Sequence, residues 1–343
     1  MGQFGVRRSV TRLGLLLDLP VHHGRDGGLF ERMARLAESA ENAGFDSLWV
    51  NDRTGDPHAS EPDDGYGFEA YSLLGALATR THKVRLGALP RDMDRRAPSI
   101  LAKIVTGIDV ISHGRSVATI GSALGPGAPG EPDGPGEPDG PDGPGGSDGP
   151  GRMHAHVARL TEGLRVCRAV LDEQGIDFSG TVYDVHGALN RPRPLQAGGV
   201  PLALFVHDSY PLRPELLASG ARYVDAVLIQ GDASVVAPAA ETVRAAVRLH
   251  DGPSDSVGSV DSVDSVDSVK VIQVLGPAVL HPPAARSGTD VDTGQLASAL
   301  APDADGCILS VGIDASPEWI RQVGHRLEVE IQGVSAGASR TGC

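Results

Sequence analysis

The chain has 343 residues, and its 30 lysines and arginines against 44 aspartates and glutamates give a formal net charge of −14. That balance, with no basic stripe, excludes a nucleic-acid footprint built on clustered Lys and Arg, and no apolar run approaches the roughly 20 residues that span a bilayer. MGQFGVRRSVTR lacks the apolar centre of a signal peptide, and the widely spaced Cys167, Cys307 and Cys343 suit neither a disulfide framework nor a zinc site, so the sequence reads as a soluble cytoplasmic protein.

Short aliphatic or β-branched runs alternate with longer segments whose apolar residues recur at three and four. Arg12–Leu17 predicts a first strand, followed by a helix through Phe30 to Ala43 that Gly44 closes in the C-cap region. Phe45–Val50 and Ala70–Arg80 form the next strand and helix, then Val84–Leu89 and Pro98–Ser112, then Ser116–Gly121 and His154–Asp172. In the second half Pro201–Val206 precedes Arg213–Ser219, Val224–Ile229 precedes Ala237–Leu249, and Lys270–Leu275 precedes Gly294–Leu300. Gly306–Val311 is the eighth strand, and Pro317–Leu327 the last helix, opened by an N-cap Ser316 with proline at the first helical position.

Two stretches break this rhythm. Gly121–Gly151 holds twelve glycines and eight prolines in thirty-one residues, a composition that cannot bury enough apolar area to offset the ordering of its backbone. Asp251–Val269 repeats DSV with a period that matches no repeat architecture. Both are expected to be flexible loops of a single domain covering 1–343, one at 121–151 after the fourth strand and one at 251–269 before the seventh. They carry six and five acids and no base, so eleven of the fourteen net negative charges sit on them.

Eight strand and helix units in strict alternation predict an α/β fold, a (β/α)8 TIM barrel. No GxGxxG follows the first strand, and a doubly wound nucleotide-binding sheet is the structural alternative. Segments that leave the C-terminal end of a barrel strand lie at the catalytic mouth. That rule puts His22 and His23, the run Asn51-Asp52-Arg53, the strand end Gly87-Ala88-Leu89, the pair Gly121-Ser122 and the run from Val206 to Tyr210 on one face.

AENAGFDSLWVND (Ala40–Asp52), FEAYSLLGALATRTHKVRLGAL (Phe68–Leu89) and APSILAKIVTGIDVISHGR (Ala97–Arg115) resemble successive blocks of the bacterial luciferase-like family of flavin and deazaflavin oxidoreductases. Phe178–Gln196 and Leu217–Gln230 resemble blocks of its second half. The resemblance implies a barrel of the luciferase-like type that binds a flavin-type ring at its mouth. SILAKIVTGIDVIS and ALNRPRPLQ look most like the actinobacterial branch that uses the deazaflavin coenzyme F420, with FMN as the alternative cofactor.

Such a site needs a slot for the ring, donors for a phosphate and a group that moves a proton. The resemblance implies a ring slot at Gly87, Ala88 and Leu89, where relatives carry a backbone bulge, often with a non-proline cis peptide; tight interior packing is the other account of these small residues. Relatives have Asp-His after the second strand, where this chain has Asp52-Arg53. Arginine stays protonated and cannot act as a general base. Arg53 is therefore assigned to holding an anionic cofactor or substrate, and Asp52 either to orienting it or to a salt bridge at the strand end. His22 or His23 takes the missing histidine's catalytic place, unless both are solvated loop residues. Gly121, Ser122 and Ser209 are the phosphate-binding candidates, although Asp208 departs from the family's glycine-rich turn. Trp49 reads as core, Glu69 as a favourable charge at a helix start, and Ser112–Arg115 as a structural turn at the opposite end; no metal site is expected.

Two readings follow. One is an oxidoreductase that transfers a hydride between F420 and a small organic substrate, with an FMN-dependent luciferase-like monooxygenase as its variant and, as relatives imply, a homodimer formed through first-half helices. The other is a cofactor-less, non-catalytic barrel acting as a partner subunit. Arg53 in place of histidine, the altered turn after the fifth strand and the long insertion favour the second, but the blocks that shape the ring slot remain legible and put the enzyme ahead.

Overall fold

The computed structural model describes residues 11–18, 28–52, 68–90, 96–121, 150–172, 176–207, 213–248, 269–275, 300–301, 304–312, 315–325 and 327. In chain order the elements are β1 (Leu13–Asp18), α1 (Leu29–Asn42), β2 (Ser47–Asp52), α2 (Ala70–Ala78), β3 (Arg85–Pro90), α3 (Pro98–Ile111), β4 (Ser116–Gly121) and α4 (Pro150–Asp172). They continue with β5 (Ile176–Ser179), β6 (Asp184–Ala188), β7 (Leu202–Val206), α5 (Pro214–Gly220), β8 (Ala226–Gln230), α6 (Ala233–Arg248), β9 (Lys270–Leu275) and β10 (Gly306–Gly312). A helix at 317–325, α7, follows.

Eight parallel strands close in the order β1-β2-β3-β4-β7-β8-β9-β10 and back to β1, with β5 and β6 set apart as a two-stranded antiparallel hairpin. This is the (β/α)8 barrel, and the doubly wound alternative falls because a closed sheet has no edges. All eight barrel strands coincide with the runs read from the sequence to within two residues at either end. Helix ends follow local chemistry. Gly44 takes φ 89 after α1, a conformation that costs glycine little, and the Ser316 hydroxyl accepts from the Trp319 amide at 3.1 Å to start α7. The loops at 121–151 and 251–269 and the helix expected at Gly294–Leu300 fall almost wholly outside the described residues.

Three elements differ from expectation, the first being α4, which begins at Pro150 and not at His154. The β5–β6 hairpin was not anticipated, because its strands are only four and five residues long and turn just Ile176, Phe178, Val185 and Ala188 towards the core between exposed residues. Helix α6 begins four residues before the expected Ala237: Asp232 Oδ1 accepts from the Ser234 amide at 2.8 Å and starts the helix, which carries Pro238 inside it.

Strand registers fix which side chains point inward. Leu16 pairs with Trp49, Trp49 with Gly87 and Gly87 with Val117; two residues on, Thr119 pairs with Ala203, Ala203 with Ala226 and Ala226 with Lys270; two further on, Ile272 pairs with Gly306; two beyond that, Ile308 pairs with Gly14, itself two below Leu16. The circuit closes with a stagger of eight residues, the shear of a TIM barrel, in which alternate strands contribute to each interior layer. Gly14, Gly87, Ala203 and Ile272 form one layer, with Trp49, Thr119, Leu228 and Ile308 above it, then Leu16, Leu89, Phe205 and Val274. Eleven buried residues, Trp49, Leu89 and Phe205 among them, pack together here as an interior core separate from the larger one between sheet and helices. Small residues make room for a large one. A Cβ on Gly87 would overlap the Trp49 ring, and one on Gly14 would lie 2.9 Å from its Nε1. The indole N–H is satisfied in place, donating to Ser47 Oγ at 2.7 Å.

The end opposite the mouth is bolted by buried charge. The Arg115 guanidinium donates to the carbonyls of Ala78, Thr81, Val84 and Ser112 at 2.7–2.9 Å. Asp109 accepts from the Leu195 amide at 2.6 Å and from Gln196 Nε2 at 2.7 Å, holding the chain that follows the hairpin. The Ser112–Arg115 turn is structural, as the sequence suggested, with His113 and Gly114 at φ 58 and 85.

Candidate functional site at the barrel mouth

Above the aliphatic layers the lining changes character. The next inward layer is Asn51, Gly121, Gln230 and Ser310, one from each of β2, β4, β8 and β10, and above it stand Asp18 at the end of β1 and His207 just past β7. The registers place Asn51 across from Gln230 and Ser310 across from Gly121, with Asp18 and His207 on opposite strands. The His207 ring meets Phe205 edge-on, centroids 6.0 Å apart, as expected for successive inward residues of one strand. Asn51 Nδ2 donates to Asp18 Oδ1 at 2.8 Å, which sets the amide's orientation across the first two strands. Ser310 is 1% exposed, and its Oγ has no hydrogen-bond partner among the described residues.

Asp52 lies on the other register. Its side chain leaves the barrel and accepts from Arg96 at 2.7 Å, while the second guanidinium nitrogen reaches Glu69 at 2.8 Å. Arg96 also stacks over the Tyr71 ring at 4.8 Å. Glu69 is the N-cap of α2, accepting from the Ser72 amide at 2.7 Å. Burial raises its carboxyl, but the Ser72 hydrogen bonds and the Arg96 charge outweigh this and bring it below the usual range. One arginine thus ties the end of β2 to the starts of α2 and α3. Of the two roles considered for Asp52, the geometry displays the salt bridge at the strand end.

The remaining sequence candidates divide by position. Gly87 faces inward but lies below the mouth, filled by Trp49, and Ala88 packs outward in the main core. Leu89 lines the last aliphatic layer. β3 pairs with β2 residue for residue from Arg85 to Pro90, while its ladder with β4 runs only through Leu86 and Gly87. Among the described residues the cis peptide is Arg191–Pro192, far from this strand end. Gly121 does face the mouth. His22, His23, Arg53, Ser122 and Ser209 lie outside the described residues. Cys307 is no nucleophile, since burial and the Asp46 charge push its thiol up to about 12.

Sequence reasoning passed over Asp18, Asn51, Gln230 and Ser310 and gave His207 no role. Strand alternation was the available signal: a buried Trp49 puts Asn51, not Asp52, on the inner face.

The chain matches the family model of luciferase-like monooxygenases over residues 12–261. It is 26% identical over 168 residues to an F420-dependent glucose-6-phosphate dehydrogenase of Kineococcus radiotolerans, an alignment covering 48% of this chain and 44% of that one. It therefore spans less than half the length of that relative. Among solved structures it resembles the monooxygenase RslO1 from Streptomyces bottropensis, with a TM-score of 0.58 and 17% identity over 91% of this chain and 96% of that one. The coenzyme F420 dependent tetrahydromethanopterin reductase from Methanopyrus kandleri gives a TM-score of 0.57 and 16% identity over 92% and 98%. These two likenesses concern the fold, and they agree with the closed barrel. With the family model covering most of the chain and the eight-stranded barrel beneath it, this protein belongs to the luciferase-like monooxygenase family.

Proposed function

We propose that the protein is an oxidoreductase that transfers a hydride between the deazaflavin coenzyme F420 and a small organic substrate at the barrel mouth. The observation that carries this reading is the change of lining at the strand ends, from aliphatic layers to a layer of amides and a hydroxyl beneath an acid and a histidine. A wholly aliphatic interior would be a stability core, whereas convergent polar groups at the C-terminal strand ends are how barrels of this fold hold ligands. The F420-dependent relative supports the choice of coenzyme.

The residues fit such a group. Gly121 is the one position of its layer without a side chain, and the Ser310 hydroxyl opposite is buried with a hydrogen bond to give. When bound, F420 supplies a ring carbon that accepts or donates the hydride. Leu89, Phe205 and Val274 close the barrel below and keep water from beneath the reacting groups. Asp18, by accepting from Asn51, holds that amide in one orientation, and His207 faces the same space as the group able to take or return the substrate's proton.

An FMN-dependent monooxygenase is the second reading, favoured by the description of the matched family. Titration of the purified protein with F420 and with FMN, followed by absorbance and fluorescence, separates the two. Saturable F420 binding supports the hydride-transfer reading, and exclusive FMN binding supports the monooxygenase. Failure of both ligands up to high micromolar concentration refutes both and leaves the non-catalytic barrel.

A further inference from the structure

We infer that the layer formed by Asn51, Gln230 and Ser310 reads the imide edge of the ring, the flat acceptor–donor–acceptor run of C=O, N–H and C=O that F420 and flavins share. This rests on the proposed function and deepens it by naming the part of the ring that faces the barrel interior. Ser310 is the starting point. At 1% exposure its hydroxyl makes no hydrogen bond to any described residue, and a hydroxyl withheld from water without a partner opposes folding unless something else satisfies it. The opposing position is Gly121, so no side chain of the same layer faces Ser310 from across the barrel.

The neighbouring chemistry is complementary. Gln230, half-buried at the end of β8, contributes one acceptor and two donors in a plane. Ser310 adds a donor from β10. Together they supply the donor, acceptor and donor that an imide edge requires. Asn51 stands across from Gln230 with its nitrogen committed to Asp18, so its amide is fixed and its oxygen is the end turned elsewhere. The aliphatic layer immediately below offers the edge no competing polar group.

Thr119 supplies the control. Its Oγ1 is also buried and without a described partner, but it lies below the layer of Leu16, Leu89, Phe205 and Val274, out of a ligand's reach. Ser310→Ala and Thr119→Val each remove an unsatisfied hydroxyl, and each is expected to melt no lower than the wild type. Ring affinity distinguishes them. In titrations of the full chain with F420 and FMN, Ser310→Ala should weaken whichever ligand the wild type binds by about tenfold, which is about 1.4 kcal/mol, while Thr119→Val leaves it within about twofold. Gln230→Leu should weaken binding at least as much as Ser310→Ala.

Equal affinity of Ser310→Ala and wild type overturns this inference and leaves the proposed function standing. So does an equal loss in Thr119→Val, which would trace the effect to packing, or a lower melting temperature for Ser310→Ala, which would mean the hydroxyl is already satisfied within the protein. A wild type that binds neither ligand overturns both the inference and the function on which it rests.

Discussion

Glu162 on α4 offers a test of how the β5–β6 hairpin is attached. Its carboxylate accepts four hydrogen bonds from the hairpin turn: Thr181 amide at 2.8 Å, Thr181 hydroxyl at 2.7 Å, Val182 amide at 2.8 Å and Tyr183 amide at 3.0 Å. Burial pushes the carboxyl up, but these donors outweigh it and draw it from 4.5 to about 2. A pKa lowered on folding contributes stability above the unfolded value of 4.5, and that stability is lost as the pH falls towards 2. The full linkage is about 3 kcal/mol, and solvent reaching the exposed turn reduces it to about 1–2 kcal/mol. Glu162→Gln keeps one acceptor oxygen and turns an NH2 group on the remaining backbone donors. Urea unfolding at pH 7 should show the variant about 1–2 kcal/mol less stable, and at about pH 2.5 the difference should shrink to less than half as the pH nears the folded-state pKa of Glu162. Amide exchange at Thr181, Val182 and Tyr183 should accelerate in the variant at neutral pH. A stability difference that is absent at pH 7, or the same at both pH values, would refute the carboxylate's role.

Gly87→Ala should destabilise the protein by about 2–3 kcal/mol in denaturant melts, because a Cβ there overlaps the Trp49 ring within a closed layer; a neutral substitution would show that the ring can move aside. His207→Ala should lower kcat about 100-fold in an F420-linked assay while changing coenzyme affinity less than about twofold. Unchanged turnover would remove His207 from the chemistry.

The barrel could be read from the sequence because burial on both faces of a parallel sheet makes each strand a continuous apolar run, as in Leu202–Val206. The hairpin could not. Asp184–Ala188 packs only Val185 and Ala188 against the core and exposes the rest, so neither an apolar run nor a clean alternation marks it. At the mouth, motif resemblance points to a neighbourhood of two or three consecutive residues, whereas pleating sends neighbours to opposite sides. Asn51 and Asp52 illustrate this: one lines the barrel and the other anchors two helices. Ser310 had no sequence signal beyond its place in the eighth strand, since its interest comes from what surrounds it after the barrel closes.

Trp49, one layer beneath Leu16, Leu89, Phe205 and Val274, is also an optical reporter built into the protein. The chain has two tryptophans; Trp49 is wholly enclosed, and Trp319 on α7 is partly exposed. An external quencher such as acrylamide should therefore silence Trp319 first and leave the emission of the sealed indole. The layer of Asn51, Gln230 and Ser310 lies only two residues higher along the strands, within about 7 Å. A blue-absorbing ring resting there would drain that remaining emission by energy transfer, so the wild-type protein can report occupancy of its own mouth without a label.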